Sequence, residues 1–143
     1  MKRSPLKRIG KSGAKKAFKK VKEKSVSFYK KLAWKIFSRW IRARDNYTCF
    51  TCGTKYPAEE GYKMHGGHFV SRLHSATFFS EINVNAQCYA CNIIKKGNAG
   101  EYAFRLIEKY GKDKFDELVK LGRTHKSFTT QELKEVISKY ETN

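Results

Sequence analysis

Acidic residues and long hydrophobic runs are both scarce in this 143-residue sequence. Only 13 aspartates and glutamates stand against 31 lysines and arginines, which gives a formal net charge of +18. Such an imbalance favours polyanionic partners, because each phosphate that a basic side chain neutralises releases condensed counterions. No run approaches the roughly 18 apolar residues of a membrane span, and the basic start lacks the apolar core of a secretory signal. We therefore expect a soluble, cytoplasmic protein that binds nucleic acid.

Cysteine is equally scarce, and all four cysteines fall in two pairs, Cys49 with Cys52 and Cys88 with Cys91. Each pair has the two-residue spacing of a metal knuckle, and four thiolates from two such turns can surround one zinc ion tetrahedrally. Redox dithiols, or disulfides in a secreted protein, are the alternatives, but no thioredoxin-like pattern of strand and helix surrounds either pair. The spacing predicts a structural zinc that has no open coordination position and closes an internal segment.

The chain has room for one compact domain and a tail. Its first 31 residues hold 13 lysines and arginines against a single acidic residue, Glu23. Like charges at this density repel one another, so we expect residues 1–26 to form a disordered basic arm that contacts phosphates or only aids solubility. The remainder, 27–143, should fold as a single small α+β domain, with a helix over 27–45, a zinc-bound core over 46–99 and C-terminal helices over 100–143.

Apolar residues recur every four positions after the arm, at Phe28, Leu32, Ile36 and Trp40, which predicts an amphipathic helix from about residue 27 to 44. Another side of this helix carries a row of basic residues that faces either DNA or water. The row consists of Lys31, Lys35, Arg39 and Arg42.

Three shorter helices are indicated in the C-terminal third of the chain. The first spans 101–110 and the second passes through Phe115 and Leu118; Gly111 and Gly122 are their predicted C-terminal caps. Thr129-Thr-Gln-Glu132 has the pattern of a capping box and predicts the start of the last helix.

Between the cysteine pairs the pattern predicts two strands, over 66–73 and 82–87, and then a helix that the second knuckle opens. His68 lies on the first strand, Asn83 begins the second, and Asn92 lies on the helix together with Lys95 and Lys96. A histidine and two amides placed in this order can hold one divalent cation and direct one base at a phosphodiester.

These residues resemble the HNH endonucleases, in the version where Cys-x2-Cys pairs flank the motif. More narrowly, His65-Gly-Gly-His68-Phe-Val-Ser-Arg72 and Asn83-Val-Asn-Ala-Gln87-Cys88-Tyr-Ala-Cys91-Asn92 resemble the phage NinG, or Rap, recombination nucleases. The resemblance runs from about Arg42 to the C-terminal helix. It implies a ββα-metal (HNH) core with a structural four-cysteine zinc, embedded among α-helices, and the cytoplasm of the host cell as the location of a phage-encoded protein.

The resemblance also implies a role for each of three residues. His68 would be the general base, since a neutral imidazole accepts a proton from water at cellular pH. Asn92 would ligate a catalytic Mg²⁺ or Mn²⁺, which polarises the phosphate and stabilises the leaving oxygen. Asn83 would brace the loop and the histidine. Basic side chains beside the scissile bond would contact phosphates or only carry surface charge: Arg72, Lys95 and Lys96.

One position departs from the family pattern. An aspartate usually stands just before, or a few residues ahead of, the base histidine as a second metal ligand, whereas here Gly67 precedes His68 and His65 lies three residues ahead. Imidazole suits manganese, iron, cobalt, nickel or zinc better than magnesium. Either His65 replaces the carboxylate, or a ligand comes from elsewhere, or the site is weakened. The nearby carboxylates that the sequence leaves unplaced are Glu59, Glu60 and Glu81.

We therefore expect a metal-dependent DNA endonuclease, and the resemblance implies branched recombination intermediates as its substrate. Related enzymes that cut both strands of a junction commonly act as dimers, so a homodimer is one expected assembly. Two alternatives stay open. One is a non-catalytic zinc-containing module that binds nucleic acid, and the other is an HNH enzyme that nicks or restricts linear DNA.

Overall fold

The computed structural model describes residues 24–141. Only the last three residues of the predicted arm fall in this range, so the prediction of disorder over 1–26 lies almost wholly outside the described residues, and Val26 already begins a helix. The elements are helices α1 (Val26–Arg44), α2 (Ala99–Tyr110), α3 (Lys112–Leu121) and α4 (Thr130–Glu141), strands β1 (Met64–His68) and β2 (Val84–Cys88), two 3₁₀ turns (Ala58–Lys63 and Ser75–Thr77) and a π-helical turn (Ala90–Ile94). In the described part of the chain, no helix is long and apolar enough to cross a membrane.

Helix α1 confirms the helix predicted from about residue 27 to 44. The Ser25 hydroxyl accepts a hydrogen bond from the Phe28 backbone N–H at 3.2 Å and caps the N-terminus. The apolar stripe buries Ile36, Phe37 and Ile41 in a core cluster that also contains Val84 of β2 and Tyr140 of α4. This helix therefore links the hairpin to the C-terminal helix.

Strands β1 and β2 pair antiparallel, with Met64 opposite Cys88 and His68 opposite Val84. Helix α1 approaches the hairpin closely at Gly66, where an added Cβ would lie 2.9 Å from the Ser38 hydroxyl and 3.2 Å from the Trp34 ring. A side chain at position 66 would have to displace these two groups, and the close approach brings Trp34, in the middle of α1, against His68.

The prediction that the first strand continues to residue 73 was wrong, since β1 ends at His68. Beyond it, the Asn83 amide oxygen accepts from the Val70 N–H at 2.7 Å, and the Asn83 amide nitrogen donates to the Val70 carbonyl at 3.0 Å. These are the backbone groups that a longer ladder would have used.

The segment after β2 also differs from the prediction of a helix carrying Asn92, Lys95 and Lys96. It forms a single π-helical turn, Ala90–Ile94, and both lysines follow that turn. Positive φ values of 49° at Lys96 and 90° at Gly97 end the helical path. The chain is a small α+β protein with one two-stranded sheet in the described residues.

The C-terminal helices surround a second cluster of apolar side chains, in which Tyr102, Leu106 and Leu118 are buried against residues that include Phe69. Helix α2 begins at Ala99, two residues before its predicted start. The predicted capping box is confirmed: the Thr129 N–H donates to the Glu132 carboxylate at 2.8 Å, and the Glu132 N–H donates to the Thr129 hydroxyl at 3.2 Å.

Both predicted glycine caps are confirmed, although their backbone conformations differ. Gly111 has a φ of 85° and ends α2 as predicted. Gly122 is the C-cap of α3 as predicted, with its N–H donating to the Leu118 carbonyl at 2.9 Å and a φ of −61°. It is also a packing position, because an added Cβ would lie 2.6 Å from a methyl group of Val70.

Candidate functional site

The four cysteines form one cluster, with all four Sγ atoms within 4.8 Å of one another. Cys52 Sγ and Cys88 Sγ lie 3.7 Å apart. A tetrahedral zinc site with Zn–S bonds of about 2.3 Å has sulfur–sulfur edges of about 3.8 Å. The cluster can hold a structural metal such as zinc, as the spacing of the two pairs predicted.

Hydroxyl and amide groups surround these sulfurs. The Thr51 hydroxyl lies 3.4 Å from Cys49 Sγ and the Thr54 hydroxyl lies 3.2 Å from Cys52 Sγ. Burial raises the pKa of the Cys88 thiol to about 12, so this thiol becomes a thiolate at neutral pH only beside a bound cation. The chemistry of this donor set therefore fits a divalent metal with a purely structural role.

A groove runs between α1, β1 and the π-helical turn. It consists of two adjoining cavities of about 370 and 490 Å³, which share Trp34, Gly66, Arg72, Asn92 and Ile93. The smaller cavity also includes His68, Ser71 and Lys96, and the larger includes His65, Lys35 and Arg42. The structure thus brings the two histidines and Asn92 to one basic groove.

The predicted DNA-contacting residues divide into three groups. Arg72, Lys96, Lys35 and Arg42 line the groove, while Lys31 lines a neighbouring cavity. Of the described residues predicted to contact DNA, Arg39 and Lys95 are exposed but lie outside these cavities. Arg42 is also held in place, because its guanidinium donates to the carbonyl groups of Ser38 and Gly61 at 3.2 Å.

His68 has a defined tautomer. Its Nε2 lies 3.0 Å from the Phe78 carbonyl oxygen, which can only accept, so Nε2 carries the proton and Nδ1 keeps its lone pair. The ring stacks on Trp34, with centroids 4.8 Å apart and an interplanar angle of 25°. Burial lowers the pKa of His68 to about 4, assisted by the charge of Arg72 and opposed by the Phe78 hydrogen bond. The imidazole is therefore neutral at cellular pH.

Asn83 is fully buried and holds the loop that supplies the Phe78 carbonyl. In addition to its two hydrogen bonds with Val70, its amide nitrogen donates to the Thr77 carbonyl at 3.1 Å. The Asn83 amide thus accepts one hydrogen bond and donates two, and together they connect both ends of the segment 70–77. Asn83 does not line the groove, and its hydrogen bonds hold the loop whose next residue, Phe78, contacts His68.

His65 and Asn92 lie side by side, with 3.0 Å between His65 Nδ1 and the Asn92 amide nitrogen. Rotation of the Asn92 amide by 180° would place its oxygen, instead of its nitrogen, toward His65 Nδ1. A side chain at position 67 would have to displace the Gln87 amide, because a Cβ there would collide with the buried amide oxygen of Gln87. That oxygen has no hydrogen-bond partner among the described residues.

The three carboxylates that the sequence left unplaced all lie outside the groove. Glu81 accepts hydrogen bonds from the Tyr140 hydroxyl at 2.6 Å and from Lys139 at 2.8 Å. Glu60 pairs with Lys63 at 2.6 Å, and Glu59 is exposed. His65 and Asn92, the two predicted ligands of a catalytic metal, both line the groove. Among residues 24–141, no carboxylate lines it.

Sequence reasoning missed three groups that support His68. The Trp34 ring and the Phe78 carbonyl contact its imidazole, and the buried Tyr102 hydroxyl donates to the Gly67 carbonyl at 2.9 Å. Trp34 lies off the four-residue stripe of α1 and packs against the α1 core cluster as well as against His68, so its position in the sequence did not indicate the second contact. A backbone carbonyl such as that of Phe78 leaves no signal in the sequence.

Comparisons with known proteins agree on one family. A sequence model of the family described as Bacteriophage Lambda NinG protein matches residues 2–143. "Protein ninG" of Salmonella phage P22 is 31% identical over 125 residues, which cover 86% of this chain and 59% of that protein. "Protein ninG" of Escherichia phage lambda is 30% identical over the same shares of the two chains. The chain spans about three fifths of the length of these curated relatives. No solved structure matches.

Proposed function

This chain belongs to the bacteriophage lambda NinG family, and on that premise we propose that it is a metal-dependent DNA endonuclease of the HNH type. The observation that carries the proposal is the state of His68. A neutral imidazole, oriented by the Phe78 carbonyl and stacked on Trp34, lies in a groove with several basic side chains. A general base needs a lone pair, a fixed direction and a nearby substrate, and this arrangement supplies the first two.

In the proposed reaction, His68 Nδ1 accepts a proton from a water molecule as the water oxygen bonds to phosphorus. The bond from phosphorus to the 3′ oxygen breaks, and that oxygen leaves with the electron pair and is protonated by solvent. The products carry 5′-phosphate and 3′-hydroxyl ends. Arg72, Lys96 and Lys35, which line the groove, would contact the flanking phosphates.

His65 and Asn92 are the residues that would hold the catalytic cation. When bound, the cation would act as a Lewis acid on the phosphate and on the leaving oxygen. One imidazole and one amide without a carboxylate fit Mn²⁺ better than Mg²⁺, which prefers carboxylate and water oxygens. The hairpin and the π-helical turn would then serve as the ββα-metal core, with a one-turn helix in the third position.

The proposed substrates are branched recombination intermediates, on the strength of the resemblance to the NinG and Rap nucleases. A homodimer would allow two strands to be cut, and the basic N-terminal sequence would add phosphate contacts that do not depend on base sequence. Cleavage of linear duplex DNA with equal efficiency would assign the chain to the nicking or restriction-like alternative.

The test is cleavage of linear and branched DNA by the purified chain with Mn²⁺ or Mg²⁺. His68→Ala should lower the rate by about 10²- to 10⁴-fold, which is the usual contribution of a general base. His74→Ala is the matched control, because His74 is an exposed histidine outside the groove. Binding without cleavage by either metal would support the non-catalytic zinc module, and equal rates for wild type and His68→Ala would remove His68 from the mechanism.

A further inference from the structure

A third cavity adjoins the groove and has no part in the chemistry described above. Its volume is about 340 Å³, within the roughly 300 to 1,000 Å³ that small-ligand sites span. It shares Trp34 and Arg72 with the groove. Its other lining residues, on the first turns of α1 and on the loop after β1, are Ser27, Lys30, Lys31, Leu73 and Phe78. We call it the Leu73 pocket.

The walls of the Leu73 pocket combine aromatic rings with cations. Lys30 Nζ lies 4.5 Å from the centroid of the Phe78 ring, and the Arg72 guanidinium lies 5.7 Å from that of Trp34. Phe78 is only 4% exposed and forms a fixed wall, whereas Leu73 is 87% exposed. Such a pocket suits a flat ring that carries a negative charge beside it, which describes a nucleotide.

Among the forms of DNA, an unpaired nucleotide can use these walls and a base within a continuous duplex cannot. In a continuous duplex the faces of the bases are stacked on one another, whereas an unpaired base offers its face to aromatic, aliphatic and guanidinium groups. The pocket also continues into the groove that contains His68, so a strand with its phosphate in the groove would place a neighbouring base here. The chain's own N-terminal segment is a poor occupant, since its first 23 residues hold ten basic residues and one acidic residue, and the pocket is itself cationic.

We propose that the Leu73 pocket binds one unpaired deoxynucleotide next to the scissile phosphate. This inference rests on the DNA-binding part of the proposed function and extends it. It assigns to the pocket a preference for DNA that contains an unpaired base over continuous duplex.

The experiment measures fluorescence anisotropy of the zinc-loaded full chain, without added Mg²⁺ or Mn²⁺, with three labelled probes. These are a short oligothymidine, an oligomer of equal length made only of abasic sites, and a blunt hairpin duplex. The wild type should bind oligothymidine at least about fivefold more tightly than the abasic oligomer, which is the lower end of the effect of one base stacked on a protein side chain. Both oligomers carry the same phosphates, so the ratio isolates the base.

Two variants place this preference in the pocket. Leu73→Ala removes an exposed wall of the pocket, and Ser27→Phe fills the pocket from α1. Each variant should bring the ratio of oligothymidine affinity to abasic-oligomer affinity close to one, while its affinity for the duplex stays within about twofold of the wild type. Leu121→Ala is the matched control, since Leu121 is also an exposed leucine and lies on α3, outside the pocket. Lys30→Ala should weaken oligothymidine more than Lys120→Ala, which removes an exposed lysine of α3.

Equal affinity of the wild type for oligothymidine and the abasic oligomer would overturn the inference. So would an equal effect of Leu73→Ala and Leu121→Ala on their ratio. Tight binding of oligoglutamate that is lost in Leu73→Ala would overturn it in favour of an acidic peptide. A preference for oligothymidine over the abasic oligomer, without cleavage under any metal, would support the nucleotide pocket and refute only the nuclease activity. Cleavage without that preference would support the nuclease activity and refute the pocket.

Discussion

The protonation of His68 should make the stability of the fold depend on pH in a range where ordinary proteins are stable. Burial lowers the pKa of His68 to about 4 in the folded chain, whereas an unfolded histidine has a pKa of about 6.5. As the pH falls below 6.5 the unfolded state gains a proton that the folded state does not, so the free energy of unfolding decreases. This contribution is fully present above pH 6.5 and is lost progressively down to about pH 4.

The size of the effect follows from the difference between the two pKa values. A gap of about 2.5 units at 1.36 kcal/mol per unit corresponds to about 3 kcal/mol, of which about 2 kcal/mol should be lost between pH 7.5 and pH 5. This is a large fraction of the roughly 5 to 15 kcal/mol by which small proteins are stable. The His68 side chain is mostly buried, so little solvent screening reduces the figure.

The assay is urea unfolding of wild type, His68→Gln and His125→Gln at pH 7.5 and pH 5. Acid also protonates the cysteine cluster, but all three proteins share that cluster, so the difference between their pH slopes isolates the histidine. His68→Gln should lose about 2 kcal/mol less than the wild type between the two pH values. His125 is exposed and lies outside the groove, so its variant should follow the wild type. Equal slopes for wild type and His68→Gln would refute a buried, neutral His68.

Three further outcomes are expected. Asn83→Ala should lower the free energy of unfolding by about 3 kcal/mol or more in urea unfolding, because it leaves the Val70 and Thr77 backbone groups without their hydrogen-bond partner. A loss below about 1 kcal/mol would contradict the bracing role. A chelator should remove one zinc per chain, measured by metal analysis, and abolish cooperative thermal unfolding; an unchanged melting curve would argue against a structural metal. His65→Asp should raise the ratio of the Mg²⁺- to the Mn²⁺-supported cleavage rate, since it supplies a carboxylate beside Asn92, and an unchanged ratio would exclude His65 as a ligand.

Features set by neighbouring residues in the chain were predictable from sequence. The spacing within each cysteine pair predicts the cluster, the four-residue stripe predicts α1, and Thr129 with Glu132 predicts a capping box that the hydrogen bonds confirm. The residues of each cysteine pair and of the capping box lie within a few positions of one another, and α1 follows a simple period, although the two cysteine pairs are themselves 36 positions apart. Local pattern is sufficient for such elements.

Features set by distant residues were not predictable. The end of β1 depends on the Asn83 side chain, 15 positions beyond His68, and the tautomer of His68 depends on a backbone carbonyl at Phe78. Gly122 has the sequence signature of a cap and is one, but that signature does not indicate that Val70 also packs against it. These contacts exist only after the chain has folded, and a glycine or asparagine in the sequence does not indicate which of several uses it will have.

The same distant contacts connect the cysteine cluster to the groove. The Thr51 hydroxyl that lies beside Cys49 Sγ accepts a hydrogen bond from the Gln87 amide at 3.3 Å, and the other end of that amide lies against Gly67, the neighbour of His68. Gln87 also donates to the Gly97 carbonyl at 2.9 Å, in the turn that follows the π-helical segment. Loss of the structural metal would therefore disturb the groove as well as the knuckles. Gln87 also occupies the space that a side chain at position 67 would need, so this one side chain links the Thr51 hydroxyl to the residue before His68.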